Sequence, residues 1–214
     1  VDVRKEDRTI RPFTIEPHVD IPLEVVRLSS VTVIKNHEPK EVETEVVLKR
    51  GQHLQIVGPN GIGKTTLLEK LASGHAKGEH VTPGVKIGYY RQDFSNLDFD
   101  KSVFETLMDS MQKKVEEDMR SIAAGFLLYG DVMKVKVGNL SEGQKGLVAF
   151  AKLTMEKPGL LILDEPTNHI NFRHIPVIAQ ALHDYKGAMI LVSHVSEFVA
   201  QIRIDEVLDL SRLK

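Results

Sequence analysis

"QHLQIVGPNGIGKTTLLEKLAS", residues 52–73, decides the fold. Its first third is apolar and alternating, as a strand requires. Its last third carries leucines at helical spacing. Between them, Gly58, Pro59, Asn60, Gly61, Ile62, Gly63, Lys64, Thr65 and Thr66 complete the pattern G-x-x-x-x-G-K-[ST] and the residue after it. Glycines let backbone N–H groups turn inward around phosphates, and the helix that follows points its positive end at them. Lys64 is expected to reach the outer phosphates, and the Thr65 hydroxyl to ligate Mg²⁺. A glycine-rich turn with no ligand is the bland alternative. The strand before the loop and the helix after it favour the phosphate site.

Further along, the chain alternates in the same way. "VKIGYY" (85–90), "GLLILDE" (159–165) and "AMILVSH" (188–194) are short apolar runs. Such runs fit strands buried on both faces of a parallel sheet. Upstream, "LEVVRLSSVTVI" and "VETEVVL" predict an antiparallel β region. The apolar stripe at Phe104, Leu107, Met108, Met111, Val115, Met119 and Ile122 predicts helix through 103–128 and a small helical lobe over about 100–145. A further helix is predicted over 146–156. Residues 1–22 read as an extended linker or arriving tail, and 23–214 as one nucleotide-binding domain. The fold class is therefore α/β, with a mostly parallel sheet.

Composition narrows the class. The chain has 214 residues, 42% of them hydrophobic, enough for one large core. It has no cysteine, which excludes disulfide and cysteine–zinc frameworks. No apolar run approaches the roughly 20 residues of a membrane helix. A net charge of −2 excludes a wholly basic nucleic-acid binder. A cytoplasmic protein is expected, with no membrane and no DNA among its partners. Basic residues in the tail (Arg4, Lys5, Arg8, Arg11) are interleaved with Asp2, Glu6 and Asp7, so the tail reads as a solvated mixed-charge segment.

The acidic pair Asp164 and Glu165 closes an apolar run, at the sheet edge where open α/β folds bind ligands. Asp164 is expected to hold Mg²⁺ and Glu165 to act as general base toward water. Gln92 follows one strand and His194 ends another. Gln92 is a candidate Mg²⁺ ligand or water-positioning group, and His194 a candidate donor to a γ-phosphate. "LSEGQKG" (140–146) adds a second helix start suited to phosphate, with Ser141 as its cap and Gln144 three residues on.

This ordered set (phosphate loop, Gln92, "LSEGQ", "LLILDEP", His194) resembles the nucleotide-binding domain of the ATP-binding cassette (ABC) superfamily, over about residues 23 to 210. The resemblance implies a P-loop NTPase core of ABC architecture, with ATP and Mg²⁺ as ligands and an ATPase activity. It implies head-to-tail pairing with a second cassette, in the same longer chain or in a homodimer. Ser141, Gly143 and Gln144 would then meet the partner's ATP. "EPTNH" with a following aliphatic residue, "LSEGQK", and the short interval from Lys64 to Gln92 resemble the ABC-F family of ribosome-associated translation factors. The resemblance is to the C-terminal cassette of a longer protein, with the ribosome and its RNA as expected partner. An ATPase subunit of a membrane transporter and a non-hydrolysing ATP-dependent module are the competing readings. Departures from the family pattern at Glu142, Asn171 and Val195 point to slow turnover. An adenine-stacking group is expected near 34–37, with Lys35 or His37 as the candidates.

Overall fold

A computed structural model describes residues 8–74 and 77–214; Asp2, Arg4, Lys5, Glu6 and Asp7 of the mixed-charge tail lie outside the described residues. Two sheets organise the chain. The first pairs the long strands β1 (Glu24–Lys35) and β2 (Glu38–Lys49) antiparallel, with short β4 (Glu79–Val81) on the other side of β1. The second is parallel throughout, in the order β5-β6-β7-β3-β8, built from β3 (His53–Val57), β5 (Ile87–Tyr90), β6 (Leu160–Asp164), β7 (Ala188–Val192) and β8 (Glu206–Asp209).

The unbroken apolar runs at 160–163 and 188–192 follow from covering both faces of this sheet. Every residue of β6 and β7 is buried, and successive side chains enter opposite cores. Leu161, Leu163, Met189 and Leu191 pack into one core with Phe150 of α4 (Glu142–Glu156) and Ile178 and Leu182 of α5 (Ile175–Asp184). Leu160, Ile162, Ala188 and Ile190 pack into the other, with Val25, Val33 and Leu48 of the antiparallel sheet and Leu67, Leu68 and Leu71 of α1 (Lys64–Ser73). Each fully buried aliphatic side chain contributes about 1.5–3 kcal/mol, so these central strands hold the carboxyl edge of the sheet firmly in place.

The predicted helix over 103–128 is instead two helices, α2 (Val103–Ser110) and α3 (Glu116–Gly125). Ser102 caps α2 by accepting the Glu105 N–H at 3.1 Å. Met111 then turns extended, at φ −82° and ψ 138°, and ends it. The apolar stripe persists across the break because both helices face the same core, so the periodicity alone conceals the bend. Before β1, residues 8–22 contain no regular structure. Ile10, Ile15 and Ile21 are nevertheless buried. Phe13 packs on Phe126 and Phe150, with ring centroids 4.7 and 6.2 Å away. A four-residue helix, α6 (Ser196–Val199), lies between β7 and β8.

Candidate functional site

The carboxyl ends of four parallel strands meet at one cavity of about 510 Å³. The loop after β3 supplies Asn60, Gly61, Gly63, Lys64, Thr65 and Thr66; Gln92 follows β5, Asp164 and Glu165 end β6, and His194 follows β7. Ligands of open α/β sheets bind at this edge. The loop needs its glycines: φ is +149° at Gly58, +82° at Gly61 and +114° at Gly63, a region costly for other residues. A Cβ on Gly63 would also lie 3.2 Å from the Thr32 carbonyl. Gly58 and Pro59 shape the turn without lining the cavity. The buried Lys64 ammonium folds back onto the Gly58 carbonyl, an acceptor that an anion in the cavity would replace with a stronger one.

The acidic pair divides into two arrangements. The Asp164 Oδ2 accepts the Thr65 hydroxyl at 2.8 Å, joining two hard oxygen groups at the foot of the loop. Burial raises the Asp164 pKa, and the Thr65 hydrogen bond opposes the rise. Glu165 sits in the left-handed region at φ +49°, with its N–H bonded to the Val192 carbonyl at 2.8 Å. One carboxylate oxygen accepts the His194 N–H at 3.2 Å. The other, Oε1, is buried and receives no hydrogen bond, although His194 Nε2 lies 3.0 Å away. Burial raises the Glu165 pKa too; the His194 N–H opposes this and the Asp164 charge adds to it. A buried, orphaned acceptor opposite a lysine and a histidine fits a site that receives a polar ligand and water.

The donor set also fits Mg²⁺. Thr65 and Asp164 offer oxygen atoms and Gln92 an amide oxygen, the donors that a hard cation selects.

Ile34, Asn168, Val192 and Val195 line the same cavity without having been expected there. Ile34 is at the end of β1, where Val31 and Val33 alternate into the core and leave its side chain outward, 38% exposed. The strand's period of two carries that signal. The two residues expected to meet a base do not line this cavity. Lys35 instead donates from Nζ to the Leu213 carbonyl at 2.7 Å.

Ser141, Gly143 and Gln144 line a different cavity, of about 830 Å³, with His169, Ile170 and Asn171. Ser141 is the N-cap of α4 in a complete capping box: its Oγ accepts the Gln144 N–H at 3.2 Å, and Gln144 Oε1 accepts the Ser141 N–H at 3.1 Å. Gly146, one turn on, lets α4 approach the 167–171 segment, since a Cβ there would lie 2.5 Å from Ile170 Cδ1. The two phosphate-suited helix starts therefore open onto separate surfaces of one chain. Among the described residues, no helix is long and apolar enough to cross a membrane.

A family model described as "ABC transporter" matches residues 43–168. Among curated proteins, YdiF of Bacillus subtilis is 38% identical over 192 residues, which is 88% of this chain and 30% of YdiF. The ATP-binding cassette sub-family F member 2 of Bos taurus is 40% identical over 157 residues, 69% of this chain and 24% of that protein. The chain thus spans about a quarter to a third of the relatives it matches. Among solved structures, a bacterial Atm1-family ABC exporter with ATP bound superposes with a TM-score of 0.71 at 19% identity, covering 95% of this chain and 41% of the exporter chain. That likeness establishes the α/β fold with its added antiparallel sheet.

Proposed function

The chain belongs to the ABC transporter ATP-binding cassette family, and from that premise we propose that it is an ATP-hydrolysing cassette of the ABC-F type. The observation that carries the reading is the meeting of Lys64, the Thr65–Asp164 pair and the Glu165–His194 pair in one cavity.

ATP is the substrate. Backbone N–H groups of 60–66 surround its phosphates, and Lys64 exchanges the Gly58 carbonyl for the outer phosphate oxygens. Mg²⁺ would be held by Thr65, Asp164 and Gln92, and would neutralise charge on the phosphate oxygens. Glu165 Oε1 takes a proton from water as the water oxygen bonds to the γ-phosphorus and the bond to the bridging oxygen breaks, leaving ADP and phosphate. His194 orients Glu165 through its N–H and offers Nε2 to the γ-phosphate.

Ser141, Gly143 and Gln144 present their helix start to a second cassette, whose ATP would complete the contact. ATP then joins two cassettes and hydrolysis releases them. The ABC-F assignment is supported by "EPTNHI", by the lysine after "LSEGQ", and by a relative named as a sub-family F member. It brings with it a role as an ATP-driven switch on the ribosome, in the cytoplasm. The transporter reading lacks a comparable sequence feature, since the exporter likeness concerns the fold alone.

The test joins the Glu165→Gln chain to a second cassette and sediments ribosomes with ATP and with ADP. Co-sedimentation with ATP alone is expected. ATP binding without ribosome association in either state would overturn the ABC-F role.

A further inference from the structure

Ser141, Glu142 and Gly143 are consecutive, and the structure sends them to different places. Successive helical positions are rotated by about 100°. Ser141 and Gly143 face the groove offered to a second cassette. Glu142 instead lines a cavity of about 420 Å³ that shares Thr65, Gln92 and Asp164 with the chain's own site.

One ion pair holds the Glu142 side chain, which is otherwise half exposed. Its Oε1 accepts from Lys145 Nζ at 2.7 Å, one turn along α4. Lys145 is 7% exposed and lies 5.0 Å from the centre of the Phe99 ring, so the ammonium is itself held. The Glu142 charge acts on the buried Tyr90 hydroxyl, raising its pKa after burial has done so. Gly143 backs onto the His169 carbonyl, 3.0 Å from where a Cβ would stand, which keeps α4 from rolling.

The cavity is acidic. Glu69 and Asp93 share Arg91, at 2.7 and 3.3 Å, while Asp164 bonds Thr65. Glu142 adds a further carboxylate at the face where Thr65, Gln92 and Asp164 gather. We propose that Glu142 is a positioning residue for the chain's own nucleotide site, acting on the metal end of MgATP in cis rather than on the partner's nucleotide. The inference rests on the ATP site proposed above. A carboxylate lining the same cavity makes the local potential more negative, which favours a cation there. The same helix start would then serve both nucleotides: Ser141 and Gly143 one, Glu142 the other.

The experiment measures nucleotide affinity on the single chain, at dilutions where light scattering reports a monomer and no partner groove is filled. Dissociation constants are measured for ATP with Mg²⁺ and for ATP with EDTA, in the wild type, Glu142→Gln and Glu142→Gln/Lys145→Gln. The double variant leaves no buried lysine without its carboxylate. The expected result is roughly threefold weaker MgATP binding in Glu142→Gln and a smaller loss in the double variant, whose net charge equals that of the wild type, with metal-free ATP binding unchanged in both. Equal loss in both conditions would mark a purely structural role and overturn the inference. So would unchanged binding in both. A wild-type chain that binds neither form would instead overturn the ATP site, and the inference with it.

Discussion

The Oε1 of Glu165 lies 3.0 Å from Nε2 of His194, and its other oxygen accepts the His194 backbone N–H. His194, two residues past β7, thus grips one carboxylate oxygen through its N–H and leaves Oε1, beside its ring, without a hydrogen bond. The grip depends on the left-handed backbone of Glu165, φ +49°, which turns its side chain away from the buried strand and toward the cavity. Strain of this kind persists where surrounding structure enforces it. Here the enforcing contact is the 2.8 Å bond from Glu165 N–H to the Val192 carbonyl.

Glu165→Gln keeps the length and polarity of the side chain and removes its basicity. Phosphate release is expected to fall roughly 10²–10⁴-fold, while MgATP affinity changes by less than about threefold. The wild-type rate should also rise with pH across an acidic limb displaced above the ordinary carboxylate range, because burial raises the Glu165 pKa and the base must be ionised to work. That limb should vanish in the variant. Single-turnover phosphate release measured across pH decides the matter, and an unchanged limb would remove Glu165 from the role of base.

Gly143→Ala separates the chain's own site from the groove at the start of α4, where the proposed pairing would take place. The added Cβ would stand 3.0 Å from the His169 carbonyl, so the helix start must shift slightly. Neither residue lines the cavity around Lys64. MgATP affinity of the single chain is therefore expected to stay within about twofold, while ATP-dependent pairing weakens by on the order of tenfold. Light scattering with ATP, run beside equilibrium binding, distinguishes the two. Equal loss in both would mean that the groove and the ATP site are not independent.

The parallel strands and the phosphate loop were legible because each is a local pattern. The loop has its glycines at fixed offsets, and β6 and β7 are apolar without interruption. The bend at Met111 was not legible, since the stripe from Phe104 to Ile122 serves one core on both sides of it. Nothing local marks Ile10 and Ile15 as buried either; the core that they join is built from residues 90 onward. The left-handed Glu165 follows from a bond to a different strand. Ile34 could be read from the alternation of β1, whereas the release of Lys35 to the Leu213 carbonyl depends on where the chain ends up after β8. The split between Glu142 and its neighbours likewise depends on how α4 packs, which five letters do not specify.

Glu79 predicts a pH dependence of stability unrelated to the site. It is 6% exposed, and its Oε2 is buried without a hydrogen bond. Burial pushes its pKa up to about 7; Lys70 opposes the rise and Glu41 adds to it. The folded state therefore binds this proton more tightly than the unfolded state. The associated stability is fully present below about pH 4.5 and is lost as pH rises to about 7. Glu79→Gln should be indistinguishable from the wild type near pH 4.5 and more stable at pH 8, by on the order of 2 kcal/mol or roughly 4–8 °C in Tm. Thermal melts at the two pH values test this. An equal difference at both would show that the carboxyl does not titrate in that window.

Phe13→Ala tests whether the segment 8–22 is part of the folded unit. The ring sits against Phe126 at the end of α3 and Phe150 in the middle of α4, tying the segment to the lobe and to the helix that begins at Ser141. Backbone bonds flank it: Arg11 N–H donates to the Gly125 carbonyl at 2.9 Å, and Ile10 N–H donates to His174 Nδ1 at 3.3 Å. The ring is only partly buried, so its loss should cost less than the 3–5 kcal/mol of a core phenylalanine, about 1–2 kcal/mol. Two readings follow from the same variant. Tm should fall by roughly 2–8 °C, and trypsin should cut after Arg8 faster, at a concentration that leaves the rest intact; the Arg11–Pro12 bond resists it. Faster cutting with no change in Tm would mean that the segment docks without adding to the stability of the cassette. Unchanged cutting would mean that the two backbone bonds hold it without the ring. A lower Tm together with faster cutting would make the segment, through Phe150, a structural support of the helix that begins at Ser141.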